Sequence, residues 1–170
     1  QLSKYNPEKM ALLKPCFTPT TGTITAANSS PMSDGAAFLL LCSEDHLKHL
    51  GSIKPMARIV GYADAVVDDP QRFPMAMIPA IHKALSQAGI TVAAVDCWEM
   101  SEAFAVVPHI ISRELGIDPS RVNRRGGAVS IGHPLGATGA RLTGSIASQL
   151  FGDGTLRFGV AAVCNGGGGA

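Results

Sequence analysis

The sequence has no Cys-x-x-Cys pair, no block of like charge, and no apolar run long enough to cross a bilayer. Each absence removes a class of function. Cys16, Cys42, Cys97 and Cys164 are scattered, and no His stands at zinc-ligand spacing from any of them, which argues against a metal site. Without a spanning run or a signal-peptide pattern at the start, neither a membrane anchor nor secretion is expected. Charged residues make up 16% of the chain and the net charge is +1. Nucleic acid and anionic membrane are therefore poor candidates as partners. Neither G-x-G-x-x-G nor G-x-x-x-x-G-K-[ST] occurs, which argues against nucleotide phosphates as ligands. Unpaired cysteines suit an intracellular, reducing compartment, with cytoplasm, mitochondrial matrix and peroxisome all open.

What remains is apolar and rich in glycine. Hydrophobic residues form 46% of 170 residues, enough for one domain with a core of its own. The 19 glycines concentrate toward the C-terminal end, which points to close backbone approaches there. Residues 1–33 read as an irregular segment after a short helix at Pro7–Leu13, and residues 34–170 as the domain proper. Continuous apolar runs at 34–42, 56–67, 95–100 and 156–164 predict buried strands. On that reading Cys42 and Cys97 are buried thiols. Between the runs lie helical patterns: one capped by Ser43 and reaching His49, one over 74–89 stopped by Gly89, one over 102–116 interrupted by Pro108, and one from about Leu135 to Leu150. Strand and helix alternate, so the expected fold is α/β: a layered mixed sheet with helices on both faces.

Two short segments carry chemistry. In "GGAVSIGHPLGATGAR" (126–141), Pro134 suits the first turn of a helix, which puts His133 at that helix's N-terminus, where free N–H groups favour negative charge. Gly136, Gly139 and Gly144 in the helix each cost about 1 kcal/mol against Ala, so tight packing or ligand approach is expected. In "AVCNGGGGA" (162–170), Cys164 ends an apolar strand and meets four glycines whose N–H groups can form an anion-binding concavity. Taken singly, each residue has a plainer reading: His133 as a packing or surface imidazole, Cys164 as a buried inert thiol.

Together with "NSSPMSDGAA" (28–37) and "WEMSEAF" (98–104), these blocks resemble, in order and at similar spacing, the C-terminal half of thiolases. The resemblance runs along essentially the whole chain. Thiolases condense two acyl-CoA molecules, or cleave a 3-ketoacyl-CoA with CoA, through an acyl-cysteine. The resemblance implies that Cys164 moves a proton at the substrate α-carbon. It implies that His133 activates the acylated cysteine and donates from Nε2–H to a thioester oxygen, and that the Gly166 N–H helps hold an oxyanion. It places Ser30 and Ala26 against the pantetheine of coenzyme A, Phe104 in the pocket wall and Phe73 beside the same arm. Ser101 stands where the family more often has an Asn that fixes a water with the His. Phe104 also reads as a core residue, and 28–30 as a simple turn.

The resemblance further implies coenzyme A as substrate or product with no separate cofactor and no metal, and a homodimer or homotetramer. The block of the acylated nucleophile has no counterpart here, and Cys16 in "LKPCF" does not match it. The expectation is a fragment that lacks the N-terminal half and the strand after the glycine run, and has no turnover alone. Two other readings stay open: a ketoacyl-synthase-like condensing enzyme, which usually carries His or Asn rather than Cys at the glycine run, and a non-catalytic acyl-CoA-binding protein. His46 and His49 share a helix face without a third ligand, and with His82 and His109 they read as surface or packing residues.

Overall fold

Trp98 and Met100 alternate with Cys97 and Glu99 along β1 (Cys97–Met100), and all four are buried. A strand buried on both faces needs cover on both faces. The computed structural model, which describes residues 5–170, supplies it. Trp98 and Met100 join a core with Met77, Ile81 and Leu85 of one helix and Val107 and Ile111 of another. On the opposite face Glu99 meets Ser145 and Gln149, and Cys97 lies beside Ile146, all three on the long C-terminal helix.

In chain order the helices are α1 (Pro7–Ala11), α2 (Glu44–Leu47), α3 (Met77–Ala88), α4 (Val106–Leu115), α5 (Ala128–Ile131) and α6 (Leu135–Gly152). The start and stop signals operate locally. Ser43 Oγ accepts from the His46 N–H at 3.1 Å to cap α2. Gly89 and Gly116 close α3 and α4 in the left-handed conformation. Pro108 falls in the first turn of α4, where a missing N–H costs nothing. The helix starts at Val106, so residues 102–105 of the expected helix lie outside it and Pro108 neither kinks nor restarts it. Residues 70–76 form a 3-10 turn that leads into α3.

β2 (Gly159–Ala162) pairs with β1 in parallel, Cys97 opposite Gly159 and Met100 opposite Ala162. A parallel pair requires a crossover, and α6 provides it while packing on both strands. Gly159 lets α6 approach this closely. A Cβ there would sit 2.6 Å from Ile146 Cγ2 and 2.9 Å from Cys97 Sγ. Asn123 seals the free edge of β1. Its N–H donates to the Trp98 carbonyl at 2.8 Å, and its side-chain amide accepts from the Met100 N–H and donates to the Met100 carbonyl.

The runs at 34–42 and 56–67 are not strands. Both are extended, but the ladder hydrogen bonds a strand needs have no partner along most of their length among the described residues. Only Ala65 and Val67 pair, antiparallel, with Gly168 and Ala170. Phe38 and Leu40 are more than nine-tenths exposed, and Cys42 is exposed rather than buried. Cys97 is buried as expected. No helix is long and apolar enough to cross a membrane among the described residues.

Gly159→Ala is expected to lower stability by about 1–3 kcal/mol, the usual cost of forcing extra volume into a packed core. The midpoint of urea unfolding measures it. An unchanged midpoint would show that the α6–sheet contact yields freely.

Candidate active site

Because β1 and β2 run parallel in register, the residues just past their C-terminal ends become neighbours. The Ser101 N–H donates to the Ala162 carbonyl at 2.8 Å, extending the ladder. Ser101 Oγ then lies 3.1 Å from Cys164 Sγ and accepts from the Cys164 N–H at 3.4 Å. Ser101 is buried and Cys164 half-buried. Beyond Cys164 the chain folds back on itself. The Asn165 N–H donates to the Gly169 carbonyl at 2.9 Å, and Asn165 Oδ1 accepts from the Gly167 N–H at 2.9 Å. The Gly166 N–H has no partner among the described residues, and the space around its Cα is open.

His133 is held by three segments. Gly132, at φ 102°, turns the chain out of α5, a conformation that side chains resist. The His133 N–H donates to the Pro31 carbonyl at 3.1 Å, with Ser33 Oγ at 3.3 Å. Its ring Nδ1 is 2.8 Å from Thr138 Oγ1, one turn into α6. The Thr138 hydroxyl also reaches the Pro134 carbonyl at 3.2 Å, and when its one hydrogen goes there its oxygen accepts from the ring. In that arrangement the proton of the neutral imidazole is on Nδ1 and Nε2 carries a lone pair; with Thr138 donating to Nδ1 instead, Nε2 carries the hydrogen that the resemblance implies.

Burial, aided by the Arg141 guanidinium, holds His133 below the ordinary imidazole range. Arg141 Nε and Nη2 are buried without a hydrogen-bond partner among the described residues. One face of His133 opens to a cleft of about 720 Å³ between Ser33–Ala37 and the start of α6. Cys164 does not line this cleft. It shares with His133 the same edge of the sheet, because α6 begins where β2 ends; Gly139 of α6 faces Val163. Helix start and strand end thus meet at one edge, the usual location of ligand sites in parallel sheets.

The remaining candidates divide. The Ser30 N–H donates to the Ala103 carbonyl at 3.0 Å, and Ser29 bridges Phe104, so the 28–30 turn docks on the segment that follows Ser101. Phe104 packs edge-to-face on Phe17 at 5.7 Å and against the core. Ala26 is exposed in the preceding turn. Phe73 is half-buried in the 3-10 turn ahead of α3 and pairs with no aromatic ring among the described residues. Cys16 is exposed, as are His46, His49, His82 and His109.

Four further residues shape the site. Thr138 orients the His133 ring. Glu102 Oε2 accepts from the Val129 N–H at 2.9 Å and caps α5. Asn123 is described above. Glu99 lies buried under α6 and accepts from Ser145 Oγ and Gln149 Nε2. Burial pushes its carboxyl pKa up, opposed by these two hydrogen bonds. The signal for Thr138 and Gln149 is present in the sequence. They are polar residues on the inner stripe of α6, with Leu142 and Ile146.

A βαβ unit with a cysteine just past the end of one strand and a histidine ahead of the crossover helix defines an α/β domain whose candidate site lies at the strand ends. The chain belongs to the thiolase family: the model described as thiolase, C-terminal domain, matches residues 53–170, and that of the thiolase N-terminal domain matches residues 2–45. The chain is 49% identical over 163 residues to a probable acetyl-CoA acetyltransferase of Dictyostelium discoideum, covering 96% of this chain and 38% of that protein. It is similar to the crystal structure of the Bacillus anthracis acetyl-CoA acetyltransferase, with TM-score 0.91, 41% identity, and coverage of 98% of this chain and 41% of that one. The Acat5 thiolase of Ascaris suum in complex with coenzyme A matches with TM-score 0.84 and 40% identity, over 98% of this chain and 43% of that one. The chain spans about two fifths of the length of the curated relatives it matches.

His133 provides a test of the electrostatics. Its folded-state pKa lies below the unfolded value of about 6.5, so on acidification the unfolded chain takes the proton first. The residue's contribution to stability is whole above that value and is lost as pH falls from it toward the folded pKa. Arg141→Gln removes the nearby cation and is expected to move the His133 titration upward, read from its ring proton resonances by NMR. A titration that stays put or moves down would show that Arg141 does not act on the ring. Thr138→Val is expected to release the tautomer, visible in the ring nitrogen shifts.

Proposed function

We propose that this chain forms the C-terminal half of a thiolase active site. The acylated cysteine would lie in the part of the family's sequence that this chain does not match. The observation that carries the reading is the placement of Cys164 at the end of β2, next to the unpartnered Gly166 N–H. The α6 start that bears His133 lies at the same sheet edge.

The chemistry follows from these groups. His133 Nε2, which carries the lone pair when Nδ1 donates to Thr138, takes the proton of the nucleophilic thiol as general base. The charged ring then has an N–H at Nε2 to donate to the thioester oxygen. The low pKa of His133 keeps it neutral, and so competent as a base, near pH 7. In condensation, the Cys164 thiolate removes a proton from the α-carbon of the second acyl-CoA. The C–H electron pair moves into an enolate, which attacks the acyl-cysteine carbonyl. The Gly166 N–H supports the oxyanion that forms there. The adduct collapses by breaking the C–S bond, and the departing cysteine thiolate takes back the proton held by His133. In thiolysis the steps reverse, and the Cys164 thiol returns the proton.

Coenzyme A is substrate and product in this reading. Its arm would run past Ser30 and Ala26 toward the cleft between Ser33–Ala37 and α6, with Phe104 in the wall. The exposed apolar side chains of Phe38, Leu40, Ile59 and Tyr62 suit cover by the N-terminal half, and a second copy of the protein is the natural further partner in this family.

Thiolysis of acetoacetyl-CoA tests the proposal. The 170-residue chain alone is expected to show no turnover, and the full-length protein to show it. Within the latter, His133→Ala and Cys164→Ala are each expected to lose about 10²–10⁴-fold in rate, the scale of one general acid–base group. Variants within a few-fold of the parent would reject the assigned roles.

A further inference from the structure

The hydroxyl of Ser101 lies 3.1 Å from the Cys164 sulfur, either atom can donate in that contact, and once the sulfur is a thiolate the donor is the hydroxyl. Ser101 Oγ accepts from the Cys164 N–H at 3.4 Å, so that contact uses a lone pair and leaves the O–H free to donate. Among the described residues the acceptor in reach is Cys164 Sγ, at 3.1 Å. Ser101 is 1% exposed, so solvent does not compete for its hydrogen. Its backbone is clamped by the Ser101 N–H to Ala162 carbonyl bond, and it follows directly on β1, every residue of which is buried. The donor is therefore held on a rigid element and aimed at one atom.

We propose that Ser101 is a positioning residue for the acid–base thiol: it fixes the Cys164 side chain at the end of β2 and donates a hydrogen bond to the sulfur while the sulfur carries negative charge. This rests on the reading of Cys164 as the acid–base group and adds the group through which it is controlled. The Ser101 proton stays on oxygen throughout. The proton that moves passes between the substrate α-carbon and Cys164 Sγ. A hydrogen bond to an anionic sulfur favours the thiolate over the thiol, and the same bond locks the side-chain rotamer. The hydroxyl thus does two things that an apolar residue of equal size cannot.

The test uses the full-length protein that carries this chain. Ser101→Ala is expected to lower kcat for acetoacetyl-CoA thiolysis by about tenfold, the scale of one hydrogen bond to a charged group, with the KM for CoA unchanged. Ser101→Asn, which restores an N–H donor at the position, is expected to recover the parent rate or exceed it. Alkylation by iodoacetamide, followed peptide by peptide by mass spectrometry, reads the thiol without turnover. At neutral pH Cys164 in Ser101→Ala should react about threefold slower than in the parent, since the lost thiolate fraction is partly offset by higher nucleophilicity. Buried Cys97 should stay unreactive in every variant, which reports that the fold is intact. Parent-like kcat and parent-like alkylation in Ser101→Ala overturn the proposal, as does a Ser101→Asn variant as slow as Ser101→Ala. If the parent shows no thiolysis while Cys164 alkylation still responds to Ser101, the thiolase reading fails and the hydrogen bond from Ser101 to the Cys164 sulfur stands without it.

Discussion

The parallel pairing of β1 with β2 is the constraint from which the site follows. Four residues on each strand, in one register, fix where the chain leaves the sheet. Ser101 and Cys164 are 63 positions apart, yet they meet because each follows the same end of adjacent strands. A shift of one residue would turn one of these side chains to the other face and break the contact. The same pairing demands a crossover, and the crossover helix must start at that edge. His133 precedes it. His133 and Cys164 are thus brought to one edge of the sheet by the strand pairing and the crossover it demands.

The two faces of β1 divide the labour. Trp98 and Met100 anchor the sheet to α3 and α4 through apolar contact. Glu99, between them in sequence, faces α6 and holds it by hydrogen bonds from Ser145 and Gln149. A buried carboxyl with partners on one helix constrains how that helix sits more tightly than apolar contact does. The Arg141 guanidinium acts electrostatically on both ends of this arrangement. It favours the charged form of Glu99 and the neutral form of His133. Its position on α6 links the buried face of the sheet to the imidazole at the helix start.

Much of this was legible residue by residue. Helix ends announced themselves through Ser43, Gly89 and Gly116, because caps and left-handed turns are local requirements. Strands β1 and β2 stood out as apolar runs; β1 is buried on both faces, whereas β2 is only partly buried, with Ala161 exposed. The runs at 34–42 and 56–67 look the same in sequence, yet they remain extended and, Ala65–Val67 apart, unpaired among the described residues. Apolar character marks a segment that needs cover; it does not say which chain segment provides it. The tautomer of His133 was equally out of reach, because it depends on where the Thr138 hydroxyl sends its one hydrogen.

By itself the sequence determined the residue types and their order: a histidine ahead of a glycine-rich helix, a cysteine ahead of a glycine run, and serine rather than asparagine in the block after Trp98. Those are properties of local spacing, and local spacing survives without a fold. Only the tertiary structure decided that Ser101 touches the Cys164 sulfur, that Nδ1 of His133 meets the Thr138 hydroxyl, and that Glu99 is buried against α6. Each of these is a distance between groups that local spacing does not fix, and such quantities exist only once the chain has closed on itself.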